Sequence, residues 1–237
     1  MKTYQVTILK KEIIANKTVS FYLSKPKNLI FKAGQYLKLS LINPKMRDAR
    51  GNIRSFSIAS LPEDDYLMVT MRIRKSPFKT ELNNLPLGSE VEILAPITMF
   101  NLKVSDKPVV FLCGGIGVAA AKPMIIAALN HGFNQPLYLF NSNRTAADIP
   151  YFDEFTSLRS ANFHYIPTLS KKGKANAEWQ GEKGYIDMPM LQKYLSEPKK
   201  CLYFLIGPSA FMWGMYKLLQ QLEISERNIN FDEFTGY

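Results

Sequence analysis

Over the first hundred residues, apolar and polar positions alternate in short runs at 4–10, 18–23, 36–41, 53–59, 66–74 and 91–94. A period of two turns one side of a strand toward a core and the other toward water, and Pro, Gly or Asn separates most of the runs. The pattern predicts an antiparallel barrel or sandwich with one helix, near 79–85. From Val109 the texture changes. Apolar strands at 109–113, 137–141, 162–166 and 202–206 alternate with helical segments at 119–131, 150–158, 187–196 and 209–222. That alternation predicts a Rossmann-like parallel α/β sheet. The expected organisation is two domains, 1–100 and 101–237, joined through 101–107.

Residues 1–6 alternate from the start and read as a first strand, without an apolar segment of signal-peptide length. The longest apolar stretch, 109–121, is interrupted by glycines and followed by Lys122-Pro123. It falls short of the ~20 residues a membrane helix needs. A soluble, reducing, cytoplasmic setting is expected.

Composition sharpens this picture in three ways. At 237 residues and 46% hydrophobic, the chain can fill two modest cores. Cys113 and Cys201 sit far apart in apolar runs and read as buried thiols, and His131 and His164 are isolated. Neither an iron–sulfur cluster nor any other metal is expected. The net charge of +10 is uneven: residues 1–100 carry 16 Lys+Arg against 8 Asp+Glu, and the remainder 14 against 12. A basic face can steer an acidic protein partner, nucleic acid or anionic lipid toward it, although the basic helices and aromatic–basic interleaving of nucleic-acid modules are missing. Solubility plus one phosphate-bearing cofactor explains the same charge.

Two kinds of motif carry chemistry. Gly114-Gly115-Ile116-Gly117 follows the buried strand at 109–113, and Gly207-Pro208 follows the one at 202–206. A strand, a glycine turn and a helix bring backbone N–H groups and a helix dipole to a diphosphate, although glycines after a strand also serve ordinary tight turns. Arg54-Ser55-Phe56-Ser57 offers an arginine fork for a diphosphate, an aromatic ring for a flat cofactor and a hydroxyl for a hydrogen bond. Taken alone, Phe56 reads as core and Ser57 as a strand-surface hydroxyl.

Over nearly its whole length the chain resembles the ferredoxin–NADP reductase family, in its compact form without an iron–sulfur domain. Arg54-Ser55-Phe56-Ser57 is similar to the family's Arg-x-Tyr-Ser/Thr flavin motif, Met71-Arg72-Ile73-Arg74 to the strand beside the flavin, and Gly88-Ser89-Glu90-Val91-Glu92-Ile93 to the barrel turn. Gly114 to Gly117 resembles the nicotinamide-nucleotide loop and Ser142-Asn143-Arg144 the segment after the second strand of the sheet. Gly207-Pro208-Ser209-Ala210-Phe211-Met212 resembles the Gly-Pro-x-x-Met turn, and Asp232-Glu233-Phe234-Thr235-Gly236-Tyr237 the acidic-Phe-x-Gly-Tyr ending.

The resemblance implies an antiparallel Greek-key flavin-binding barrel, a Rossmann-like parallel-sheet nucleotide domain whose C-terminal tail returns to the flavin, and FAD with NADPH or NADH as cofactors. Arg54 would pair with the FAD diphosphate, Phe56 would pack on the flavin, and Ser55 and Ser57 would belong to the flavin site, with Ser57 near the hydride-accepting nitrogen. Arg72, Ile73 and Arg74 would line the diphosphate or ribityl edge, and Lys79 and Thr80 would serve the diphosphate. Gly114, Gly115, Gly117, Gly207 and Pro208 would hold the nucleotide. Phe234 and Tyr237 would lie at the flavin, Tyr237 as a gate over the face nicotinamide must reach, against the alternative of a frayed terminus. Glu233 would relay a proton or simply cap a turn.

Several positions depart from the family. Ser76-Pro77-Phe78-Lys79 replaces Gly-x-x-Ser, and Ala95 to Phe100 replaces Gly-Pro-x-Gly-x-Phe. Ala119-Ala120 replaces Thr-Pro, and Ile206 replaces a cysteine. Ser142 and Arg144, with no acid between Asn141 and Arg144 and with Lys171, Lys172 and Lys174 following, lean toward NADPH, although Arg144 suits either cofactor. The implied activity is hydride transfer from NAD(P)H to FAD, then electron transfer to an acidic carrier of the ferredoxin or flavodoxin kind. The alternatives are reduction of free flavin, ferric chelate or quinone, or a non-catalytic electron-relay subunit.

Overall fold

The computed structural model describes residues 1–45, 49, 51–97, 100–102, 106–171 and 179–233, excepting the side chain of Glu233. The chain divides into two compact units, Met1–Leu102 with Lys122–Ala127 and Lys103–Ala121 with Ala128–Tyr237.

The first unit holds β1 (Lys2–Ala15), β2 (Thr18–Ser24), β3 (Tyr36–Leu41), β4 (Ile53–Ser57), β5 (Tyr66–Arg72), helix α1 (Pro77–Asn84) and β6 (Glu90–Ile97). Its strands form one antiparallel sheet in the order β4-β3-β6-β1-β2-β5. β1 is longer than the alternation predicts because it serves two partners. Lys2 to Thr7 pair with β6, and a register shift after Ile8 hands the rest of the strand to β2. Such an irregularity changes the phase of the alternation, so one strand reads as two patterns. The segment after β4 meets β5: the Ala59 N–H donates to the Met68 carbonyl at 2.7 Å, and the Met68 N–H donates to Ser60 Oγ at 3.0 Å.

The barrel core contains Ile8, Phe21, Leu23, Leu37, Leu39, Ile58 and Ile93, all fully buried. α1 adds Phe78 and Leu82. It starts earlier than the predicted 79–85, since proline is preorganised for a first helical turn. At its other end Lys11 Nζ donates to the carbonyls of Asn83 and Leu85, placing a cation at the negative end of the helix.

The second unit holds β7 (Val109–Gly114), β8 (Leu137–Asn143), β9 (Phe163–Leu169), β10 (Glu182–Lys183), β11 (Leu202–Gly207) and β12 (Ile229–Glu233). All pair in parallel, in the order β10-β9-β8-β7-β11-β12. Its helices are α2 (Val118–Asn130), α3 (Phe152–Ser157), α4 (Met188–Tyr194) and α5 (Ser209–Gln221). The shortened helix starts have local causes. Asp187 caps α4 by accepting the Met190 N–H at 2.9 Å, and Tyr151 sits in left-handed backbone, φ 58°, before α3.

β10 and β12 escape the sequence pattern. β10 is two residues long, and β12 interleaves Asn230 and Asp232 with its apolar residues as the edge strand of the sheet. On one face, Val110, Leu112, Phe140, Tyr203 and Leu205 make a core with residues of α4 and α5. β7 and β11 are neighbours, but the chain runs from β7 to β8 in one direction along the sheet and from β11 to β12 in the other. Right-handed crossovers then place α2 and α5 on opposite faces, so the sheet's topological switch lies between β7 and β11.

Candidate functional site

In the first unit, alternation along β4 splits the Arg54 to Ser57 motif between two faces. Arg54 and Phe56 lie opposite Leu39 and Leu37 of β3, whereas Ser55 and Ser57 lie opposite Lys38 and Tyr36. The Arg54 guanidinium rests 5.0 Å from the centre of the Phe78 ring and donates to the carbonyls of Gly51 at 3.0 Å and Ile53 at 2.7 Å. Phe56 is buried and stacks on the same Phe78 ring, centroids 6.2 Å apart. Its ring therefore contributes to the barrel core, and Phe78 joins Phe56 to Arg54.

Arg72 Nε donates to Thr18 Oγ1 at 3.2 Å, and the Arg72 carbonyl accepts from Lys79 Nζ at 3.2 Å. Ile73 continues past β5 with its N–H on the Lys17 carbonyl at 2.7 Å; Arg74 and Thr80 are exposed. Arg54, Arg72 and Lys79 are thus tied to α1 and the strand before it. The first turn of α1 carries no acid. A forked cation, a lysine and the positive end of a helix form a donor set suited to a diphosphate.

In the second unit the glycines answer to three different constraints. Gly115 has φ +55°, in the left-handed region. A Cβ on Gly117 would lie 2.4 Å from the Ile206 carbonyl oxygen, so glycine there lets the turn after β7 press on β11. A Cβ on Gly114 would come within 2.7 Å of the Phe211 ring, and one on Gly207 within 3.1 Å of it. Ser142 pairs with Gly114, and Gly207 with Glu233, on the last rung of the sheet. Pro208 leads into α5 in extended backbone. The exposed Arg144 offers its carbonyl to the Lys171 N–H at 3.3 Å, bringing the ends of β8 and β9 together. This glycine-lined rung at a topological switch suits the approach of a dinucleotide.

One rung earlier, on the other face, Pro167, Asn141, Cys113, Ile206 and Asp232 are in register. Burial pushes the Asp232 carboxyl up to about 6. Full burial, aided by the Asp232 charge, raises the Cys113 thiol well above its usual range. Asn143 Nδ2 donates to Asn141 Oδ1 at 2.8 Å, and Asn141 Nδ2 donates to the Tyr165 hydroxyl at 3.3 Å. Asn143 Oδ1 is buried, with no hydrogen-bond partner among the described residues. This polar row escaped sequence reasoning. Its signal was the Leu137-x-Leu139-x-Asn141-x-Asn143 alternation, which places two amides on a buried face.

The Glu233 side chain, Phe234 and Tyr237 lie outside the described residues, as do Thr98, Met99, Lys172 and Lys174. Among the described residues, no group of three or more His, Cys, Asp or Glu side chains is arranged for a metal, and no helix is long and apolar enough to cross a membrane.

A family model for an FAD-binding domain matches residues 3–107, and one for an oxidoreductase NAD-binding domain matches residues 111–217. Between them the two models span most of the chain, which therefore carries an FAD-binding domain followed by an oxidoreductase NAD-binding domain, as the resemblance implies. It is 26% identical to the phenol hydroxylase P5 protein of Acinetobacter pittii, over 99% of this chain and 66% of that protein. It is also 26% identical to one component of the Na(+)-translocating NADH-quinone reductase of Pasteurella multocida, over 78% of this chain and 49% of that component. The chain thus spans about half to two thirds of the length of these relatives. A ferredoxin NADP+ reductase from Neisseria gonorrhoeae, solved with FAD and NADP, shares the fold with a TM-score of 0.78 at 18% identity, over 98% of this chain and 99% of that one.

Proposed function

We propose that this protein takes a hydride from NADPH or NADH onto FAD and passes the electrons to an acidic carrier protein of the ferredoxin or flavodoxin kind. The observation that carries this reading is one chain with two phosphate-suited sites of different construction: cations around α1 in the first unit, and a glycine rung at the switch of the second. Domain boundaries at 1–100 and 101–237 go with it.

FAD, when bound, supplies an isoalloxazine that accepts two electrons as hydride and releases them singly or in pairs. Arg54, Arg72 and Lys79 would hold its diphosphate, with Arg74 and Thr80 at the exposed margin and Ile73 along the edge. Ser57, on the face opposite Arg54, would offer a hydroxyl to the hydride-accepting position, with Ser55 beside it. Phe56 would act through Phe78, keeping the Arg54 platform in place. Gly114, Gly115, Gly117, Gly207 and Pro208 would admit the dinucleotide. Ser142 and Arg144, next to Lys171, would receive a 2′-phosphate, which favours NADPH. Glu233, Phe234 and Tyr237 are proposed to complete the site from the tail.

One relative is by its name a subunit of an NADH-quinone reductase and another a phenol hydroxylase protein, and action alongside other proteins is the example taken from them. The excess of 16 basic over 8 acidic residues in the first hundred supplies a steering field for an acidic acceptor protein. The test is reduction of an acidic ferredoxin or flavodoxin, and of free FMN, ferric chelate and a soluble quinone, across rising salt. Carrier reduction that falls steeply with salt while small acceptors respond little supports the reading. Equal, flat salt responses would assign the activity to small acceptors.

A further inference from the structure

Phe211 stands in the first turn of α5, and its ring rests on two backbones that lack side chains. Gly114 and Gly207 lie side by side at the ends of β7 and β11, one residue beyond the paired Cys113 and Ile206. A Cβ on Gly114 would meet Phe211 Cγ at 2.7 Å and Cδ1 at 2.8 Å; a Cβ on Gly207 would meet Cδ1 at 3.1 Å. The ring is half-buried and packs against the core shared with α4 and α5. It therefore occupies the α5 side of the switch crevice at the last rung. The turn of Gly115 to Gly117 stands where the chain leaves β7 for α2, toward the opposite face.

We propose that Phe211 is the positioning residue for the nicotinamide half of the dinucleotide, setting how deeply that half enters between β7 and β11. This rests on the reading that the chain uses a nicotinamide nucleotide. A flat, uncharged ring on a glycine platform presents a rigid apolar surface with few rotatable bonds, against which a planar heterocycle stacks or abuts. The adenosine half, expected nearer Ser142 and Arg144, touches none of it. On this view Gly114 is glycine in order to seat Phe211.

The test compares Phe211→Ala and Phe211→Tyr with the wild-type protein, loaded with FAD. It measures KM and kcat for the preferred nucleotide, and by calorimetry the Kd of that nucleotide's oxidised form and of its nicotinamide-free fragment, ADP-ribose or 2′-phospho-ADP-ribose. Phe211→Ala is expected to weaken the whole nucleotide about tenfold. The fragment should stay within about twofold, and Phe211→Tyr, which keeps the ring, should stay near wild type. Equal weakening of nucleotide and fragment, or no weakening, would overturn the assignment. If Phe211→Ala does not fold, Phe211→Leu, which keeps bulk without a flat face, carries the same comparison. If the wild type binds neither whole nucleotide nor fragment, the underlying reading fails, and the role of Phe211 with it.

Discussion

The two units bring phosphate-suited chemistry to the surface by opposite means. In the barrel it is carried by side chains: Arg54 on Phe78, Lys79 on the Arg72 carbonyl, and Arg72 on Thr18. In the parallel sheet it is carried by their absence. Gly114, Gly117 and Gly207 let backbone and the Phe211 ring approach where any Cβ would intrude. Antiparallel strands present alternate side chains over a closed core, so a cluster of cations can be assembled from three elements. Parallel strands buried on both faces leave only their ends free, and there the backbone itself is the accessible surface. The barrel site should therefore be weakened by removing groups and the sheet site by adding them.

Removing the Arg54 charge should have the largest effect. Arg54→Ala is expected to lose about 1.5–3 kcal/mol of FAD affinity, the scale of a charge-assisted hydrogen bond, or about tenfold to a hundredfold in Kd. Fluorescence titration with FAD measures it, and unchanged affinity would take the diphosphate away from Arg54. Gly114→Ala is the converse experiment. Its added methyl meets the Phe211 ring, and overpacking of this kind costs about 1–3 kcal/mol. Urea midpoints should fall for Gly114→Ala and recover substantially in the double variant with Phe211→Ala; additive losses would show that the two do not share a space.

Asp232 makes a smaller, pH-dependent contribution. Burial raises its carboxyl from the ordinary 3.8 to about 6, so between those values the native fold keeps a proton that the unfolded chain has released. That contribution is whole below pH 4 and is lost as pH rises through 6, an effect of about 1–2 kcal/mol once partial exposure is allowed for. Asp232→Asn should gain stability relative to wild type from pH 4 to pH 7, and parallel stability curves would contradict the burial argument. Ser57→Ala should do least to binding. FAD should be retained, with its reduction by nucleotide slowed about fivefold, roughly the worth of one hydrogen bond. Stopped-flow rates equal to wild type would remove Ser57 from the reaction.

The comparison also explains what was legible in the chain. The glycine turns could be read directly, because strand, turn and helix follow one another in sequence. Their reasons could not, because the Phe211 ring over Gly114 and the Ile206 carbonyl against Gly117 are contacts across β7 and β11. The β4 motif was legible as a set of residue types, but its division between faces depends on the register with β3. The joint between Arg54, Phe56 and Phe78 spans separate elements and left no local trace. β12 was missed because Asn230 and Asp232 give an edge strand the look of a polar tail. Asn141 and Asn143 occupy buried positions in an otherwise apolar alternation, where amides are easily taken for a strand's exposed end.

The central claim is that one chain binds FAD and reduces it with a nicotinamide nucleotide. Its most direct test is the anaerobic visible spectrum of the purified protein, supplemented with FAD where needed, before and after one equivalent of NADPH and, separately, of NADH. The account predicts oxidised-flavin bands that bleach, more fully with NADPH. Bound flavin that neither nucleotide bleaches would contradict the reductase reading and leave an electron-relay role; no flavin binding would contradict the assignment of Arg54, Arg72 and Lys79.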